Sequence, residues 1–292
     1  MNDYIIVGDS TSDISQKYVD EAKGVVLPLS YMIKGKEYLH YLDFKDMSLE
    51  EFYKIQGEGN NAKTSQLNQV FVEDNIRPLL QKGLDVLFVS FSSGLSGTYN
   101  SIRLAFENLK EEFPNQKLLA LDSLCASSGE GLLLLEAFKN KEKNMTIDEN
   151  YKALEELKLK IRHWFTVDEL NTLKRGGRIT ATAATAAKLL NIKPVLKVND
   201  TGHLVSVCKK IGHKSAIKDI VERSVTDIDQ SYPTIISHAN CKNDADLAYN
   251  LIKKYYEENN IKSEIILERI GPVIGAHSGP TTLAIFTVGK NR

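Results

Sequence analysis

Hydroxyl and glycine residues crowd the segment Phe91-Ser92-Ser93-Gly94-Leu95-Ser96-Gly97-Thr98-Tyr99-Asn100-Ser101. It follows the apolar run Val86-Leu87-Phe88-Val89-Ser90 and leads into a helical pattern carrying Ile102, Ala105, Phe106 and Leu109. Serine hydroxyls at a strand-to-helix turn, beside the free N–H groups of a helix start, suit capture of an anion or a strong acceptor. In open α/β sheets, turns at the carboxyl ends of strands are where ligands bind. A capped helix using small residues for close packing accounts for the same residues without a ligand.

Three other segments carry possible chemistry. Thr64-Ser65-Gln66 stands between a polar stretch and a helix and, alone, reads as a helix N-cap. Lys174-Arg175-Gly176-Gly177-Arg178 puts three cations around two glycines, where the backbone is brought close to something or bent sharply. An anion clamp, a partner contact and a solvated turn all fit it. His277 falls in a glycine- and proline-dense segment, 270–280, read as a loop; there it can donate to an anion or serve as a structural hydrogen-bonder. The enzymatic rival pairs Gly8-Asp9-Ser10, which resembles the nucleophile segment of a GDS-type esterase, with Asp200-Thr201-Gly202-His203. Hairpin-turn chemistry explains the latter segment without catalysis. No phosphate-binding glycine loop is present, and His40, His163, His213 and His238 have no metal-ligand spacing.

The elements that must position these groups alternate. Strands are expected at 4–7, 25–33, 84–90 and 117–121, with helical spacing at 15–22, 49–55, 70–80 and around 132–138. That alternation predicts a mostly parallel sheet flanked by helices. The polar stretch 140–150 is the candidate crossing between subdomains, followed by a charged helix over 147–161. Beyond it come a strand at 164–167, with Asp168 capping a short helix to 173, and a hairpin over 195–208. A helix–strand–helix–strand run over 214–270 and a final strand at 283–288 complete the chain. The expected division is a lobe of residues 1–155 and a second α/β lobe of 156–292.

The totals narrow the class. The 292 residues hold 37 basic and 38 acidic side chains, so no charge excess points to nucleic acid or a membrane surface. Cys125, Cys208 and Cys241 are odd in number and scattered, which fits a reducing compartment better than a disulfide framework. The apolar stretch 132–135 ends at Glu136, too short to span a bilayer. These features predict a cytoplasmic protein.

Taken in order, the motifs resemble those of the DegV family of fatty-acid-binding proteins. Asp9-Ser10-x-x-Asp13 is similar to its opening motif and Thr64-Ser65-Gln66 to its first ligand loop. The serine turn Ser92 to Ser101, the double-glycine segment Leu173 to Ile179 and Ile274-Gly275-x-His277-x-Gly279-Pro280 match three more. The resemblance spans nearly the whole chain. It implies a two-lobed α/β fold enclosing one long-chain fatty acid of C16–C18, with no cofactor and no catalytic residue. It also implies service as the non-catalytic subunit of a bacterial fatty acid kinase, presenting the acyl carboxylate to an ATP-dependent partner for phospholipid synthesis. Thr64 and Ser96 would then hold the carboxylate, with His277 close by and Ser93 or Ser65 in support. Arg175 would contact the kinase or the acyl phosphate. A lipid carrier unconnected with phosphorylation is the alternative. Three departures stand out: Leu67 where the first loop has proline, Thr281 where the closing loop has glycine, and Lys209 and Lys210 where a basic segment has arginine. The last bears on kinase recognition, because lysine does not reproduce arginine's bidentate geometry.

Overall fold

The fold is that of a computed structural model describing residues 3–168, 170–179 and 191–292. Its first sheet is parallel and four-stranded, in the order Val25–Leu27, Tyr4–Asp9, Asp85–Ser90, Leu118–Asp122. Asp85–Ser90 is buried along its whole length. That is why it reads as a continuous apolar run: helices cover both faces of such a sheet. The run expected at 25–33 is two strands rather than one. Pro28 has no N–H to continue a ladder, and beyond it Leu29–Ile33 joins Lys36–His40 and Lys63–Ser65 in a three-stranded antiparallel sheet.

The second lobe is a six-stranded mixed sheet in the order Leu204–Ile211, Ile192–Val198, Ile161–Thr166, Leu283–Val288, Thr234–His238, Ile265–Arg269. Only its last pair is parallel. The helices His213–Val225 and Lys242–Asn259 pack on one face through Ile217, Ile220, Ala248 and Ile252. The other face meets the helix Ser128–Glu142, whose Leu132, Leu133, Leu134 and Leu135 share one core with Leu87 of the first sheet and Phe286 of the second. A helix that is apolar all round is buried all round, and this one lies between the two sheets. Its leucine run is therefore a core feature, and among the described residues no helix is long and apolar enough to cross a membrane.

Two further expectations need correction. The polar stretch 140–150 is not a surface crossing but the turn between the helices Ser128–Glu142 and Ile147–Leu157. Asn140 and Asn150 are both buried, with Asn140 Nδ2 donating to Asn150 Oδ1 at 3.0 Å. Asn150 Nδ2 in turn donates to the Ala137 carbonyl at 2.9 Å and to the Tyr4 hydroxyl at 3.1 Å. Replacing Asn150 by alanine removes three buried hydrogen bonds and leaves the Asn140 amide without its acceptor, while the Tyr4 hydroxyl keeps the Met145 carbonyl. It should cost about 2–4 kcal/mol in urea unfolding, and a loss below about 1 kcal/mol would mean the network carries little. Asp168 is likewise no helix cap: it takes Lys193 Nζ at 2.5 Å and faces His213 Nδ1 at 3.4 Å, while the short helix begins at Asn171.

Candidate ligand cavity

The carboxyl ends of Tyr4–Asp9 and Asp85–Ser90 open onto a cavity shared by both lobes. Its walls are mostly apolar. Leu29 and Phe91 come from the first lobe, Phe165, Ala284 and Phe286 from the second sheet, and Ile270 and Val273 from the closing segment. That segment is a helix rather than a loop, Pro272–Ser278, with proline opening it and Gly279 leaving it at φ 91°. Pro at a helix start and Gly just past its end are helix punctuation, so the composition that suggested a loop marks two helix boundaries.

This helix carries His277 into the cavity wall, opposite Thr64. Lys63–Ser65 is an edge strand paired with Leu29–Ile33, and the cap of the next helix is Asn68, whose side chain accepts from the Phe71 N–H at 2.9 Å. The N-cap reading of Thr64-Ser65-Gln66 therefore fails. Thr64 Oγ1 lies 2.8 Å from His277 Nε2. Burial, aided by the Arg178 charge, pushes the His277 imidazole down to about 4, so it is neutral at pH 7. With its proton on Nε2, His277 donates to Thr64 and leaves the threonine hydroxyl proton free for a ligand.

Ser96 is prepared in the same way. Its Oγ accepts from the Thr98 N–H at 3.2 Å and lies 3.0 Å from Thr98 Oγ1. With Thr98 donating, the serine retains its own proton to give. Thr98 Oγ1 also accepts from the Leu67 N–H at 3.3 Å, a bond that proline at 67 has no hydrogen to make. In that arrangement two hydroxyls accept from the protein and face a mostly apolar cavity with a proton each. A group that accepts from both and carries negative charge is what such a site favours.

The double-glycine segment also brings a positive charge to the cavity, from Arg178. Arg178 lines the cavity, its Nε donating to the Leu95 carbonyl at 3.1 Å and its Nη1 to the Gly176 carbonyl at 2.5 Å. Arg175 is exposed and lies outside the cavity. Both meanings of paired glycines hold here. Gly177 turns the chain at φ 73°, while Gly176, at an ordinary φ of −71°, leaves room for His277. A methyl group at 176 would collide with His277 Nδ1. Gly176→Ala should therefore weaken binding of a ligand that accepts from Thr64 about tenfold, the worth of one hydrogen bond, with little change in melting temperature. An affinity equal to the parent's, by calorimetric titration, would refute this role.

The remaining expected residues are dispersed. Ser65 lines the cavity beside Gln66. Ser93 is exposed outside it, its N–H bonded to Asp122 Oδ1 at 3.0 Å. Ser10 is fully buried, its hydroxyl accepting from the Leu29 N–H at 3.0 Å. Asp200 and His203 sit in the hairpin turn, where His203 Nδ1 faces Thr201 Oγ1 at 3.1 Å. Nothing in that arrangement activates Ser10 toward an ester. The Asp168 N–H donates to Thr281 Oγ1 at 3.1 Å. Among the described residues no cluster of side chains could hold a metal ion.

A family model described as an uncharacterised protein of the DegV family matches residues 4–290. A DegV domain-containing protein of Clostridium perfringens is 36% identical over 296 residues, covering 100% of this chain and 99% of its own. Among solved structures, a fatty acid binding DegV family protein from Streptococcus agalactiae is similar with a TM-score of 0.85 and 27% identity, covering 100% of both chains. A DegV family protein from Thermus thermophilus, whose structure concerns its fatty acid binding, gives a TM-score of 0.84 at 26% identity, covering 98% of this chain and 99% of the other.

Proposed function

The chain belongs to the DegV family, and on that premise we propose that it binds one long-chain fatty acid. The carboxylate is held by the Thr64 and Ser96 hydroxyls with Arg178 as countercharge, and His277 acts through Thr64. Residues 1–155 supply the hydroxyl turns and residues 156–292 complete the acyl wall. The observation that carries this reading is the pair of hydroxyls, Thr64 beside His277 and Ser96 beside Thr98, that line a mostly apolar cavity together with Arg178. The fatty acid binding of the Streptococcus agalactiae and Thermus thermophilus relatives supports it.

The energetics agree. A buried carboxylate is costly unless several donors satisfy it, and the acyl chain contributes about 0.8 kcal/mol per buried CH₂. A C16–C18 tail gives more than about 10 kcal/mol gross, before the ordering costs of binding. The ligand then survives purification. Solvent extraction of the purified protein followed by mass spectrometry should release about one equivalent of fatty acid per chain. An empty extract, with no uptake of oleate or palmitate, would refute the proposal.

The bound carboxylate is in turn presented to a separate, cytoplasmic ATP-dependent kinase, with Arg175 exposed near the double-glycine turn as a contact. A carrier with no phosphorylation step is favoured by one detail: Lys210, in the segment where arginine is usual, is already committed to Asp219 at 2.5 Å. Acyl-phosphate formation in the presence of a fatty acid kinase and ATP separates the two.

A further inference from the structure

Thr11 lines the cavity, and its hydroxyl sits between two carboxyl groups. Oγ1 is hydrogen-bonded to Asp9 Oδ1 and lies 3.0 Å from Glu130 Oε2. A hydroxyl has one proton, so it donates to one of these groups and accepts from the other. The two acids are not equivalent. Burial pushes Asp9 up as well, but Asp9 also accepts from the Thr11 N–H at 3.0 Å and the Phe91 N–H at 3.1 Å. The Glu130 carboxyl is within hydrogen-bonding reach of it too, so Asp9 has the donors that favour a charged form. Glu130 is fully buried, and its Oε1 has no hydrogen-bond partner. Apart from Thr11, only the Asp9 backbone N–H is near enough to favour its charged form among the described residues.

We propose that Glu130 is a neutral carboxylic acid that donates its Oε2 proton to Thr11 Oγ1, and that this proton holds the cavity wall in its ligand-binding shape. Glu130 stands in the first turn of the helix Ser128–Glu142, where the backbone dipole favours a negative charge. Of the charged and titratable groups around it, Asp9, Asp13 and the Cys125 thiol ahead of the helix oppose that preference. The His163 ring against Gly129 is held neutral by burial, and the nearest cation, Arg292, is spent on Cys125 Sγ at 3.1 Å and on backbone carbonyls. Burial of Glu130 acts in the same direction as Asp9, Asp13 and Cys125. Ionising Glu130 would set two anions against a single hydroxyl proton. Thr11 can then donate to only one of them, and the repulsion between the two carboxylates falls on the wall that Thr11 shares with Ser127, whose hydroxyl lies 2.5 Å from Asp13 Oδ2.

The consequence for the ligand rests on the fatty-acid reading above, so the test has two arms. In infrared difference spectra of ligand-free protein, the protonated-carboxyl band at neutral pH should lose one component in Glu130→Gln and keep that component in Asp13→Asn. In titrations with oleate, parent affinity should fall by up to about tenfold per pH unit on the alkaline side. Glu130→Gln, which retains an N–H donor toward Thr11, should bind like the parent at neutral pH and lose less affinity than the parent as pH rises, Asp13 still titrating beside Ser127. An unchanged carboxyl band in Glu130→Gln overturns the proton assignment whatever oleate does. A lost component together with pH-independent binding in the parent overturns the link to the cavity wall. A lost component in a parent that never binds oleate upholds the assignment and refutes the fatty-acid reading instead.

Discussion

Thr64→Ala combined with Ser96→Ala lowers oleate affinity by about 10²- to 10⁴-fold and leaves the protein folded. Each variant removes a hydroxyl that donates to a charged acceptor, a bond worth about 1.5–3 kcal/mol. The two together are worth about 3–6 kcal/mol, which sets the range of the expected loss. The folded state loses less. Thr64 is half-buried and bonded to His277, and Ser96 is half-buried and bonded to Thr98. Calorimetric titration gives the affinity and circular dichroism the fold. Oleate binding as tight as the parent's would sink the carboxylate assignment, whereas His277→Ala, acting through Thr64, should cost only about tenfold.

What could be read in advance was what is local. Parallel strands buried on both faces announce themselves as apolar runs, so Asp85–Ser90 and its serine turn stand where their pattern put them. The paired glycines announced both a close approach and a bend, but not which group approached. That group is His277, about a hundred residues further on, brought there by the second sheet and its closing helix. The choice of Arg178 over Arg175 for the cavity depends on where the helix Asn171–Arg175 ends and how Gly177 turns the chain. Neither follows from spacing. Asn140 and Asn150 were misread for a related reason. A buried amide network has the composition of a surface turn, and only the partner residues Tyr4 and Ala137 reveal it as core. Phe165, Ala284 and Phe286 share a wall because Leu283–Val288 pairs with Ile161–Thr166, with Ala284 opposite Phe165 and Phe286 opposite His163. Long-range register of that kind leaves no local signature.

Asp13→Asn should flatten the pH dependence of folding stability, and at pH 8 it should make the protein more stable than its parent. Burial is the main cause that pushes the Asp13 carboxyl up to about 8, against the lowering effect of the Ser127 hydroxyl and the Gly271 N–H, while Glu268 and Asp9 push it further up. In the unfolded chain an aspartate titrates near about 4. Between these limits the folded state holds a proton that the unfolded state has released. Stability from this group is therefore fully present below about pH 4 and is lost as pH rises toward the folded value, by about 1.4 kcal/mol per pH unit. Asparagine carries no such linkage. It also suits the site: Asp13 adopts left-handed backbone angles of φ 46° and ψ 41°, which asparagine tolerates well. Its carbonyl oxygen can still accept from the Gly271 N–H, now at 2.9 Å, and its amide can donate to Ser127 Oγ. Urea unfolding at intervals from pH 5 to pH 8 should show the variant's slope to be less negative by about 1.4 kcal/mol per pH unit. Equal slopes would mean that Asp13 is ionised in the folded protein and that its bonds to Ser127 and Gly271 outweigh its burial.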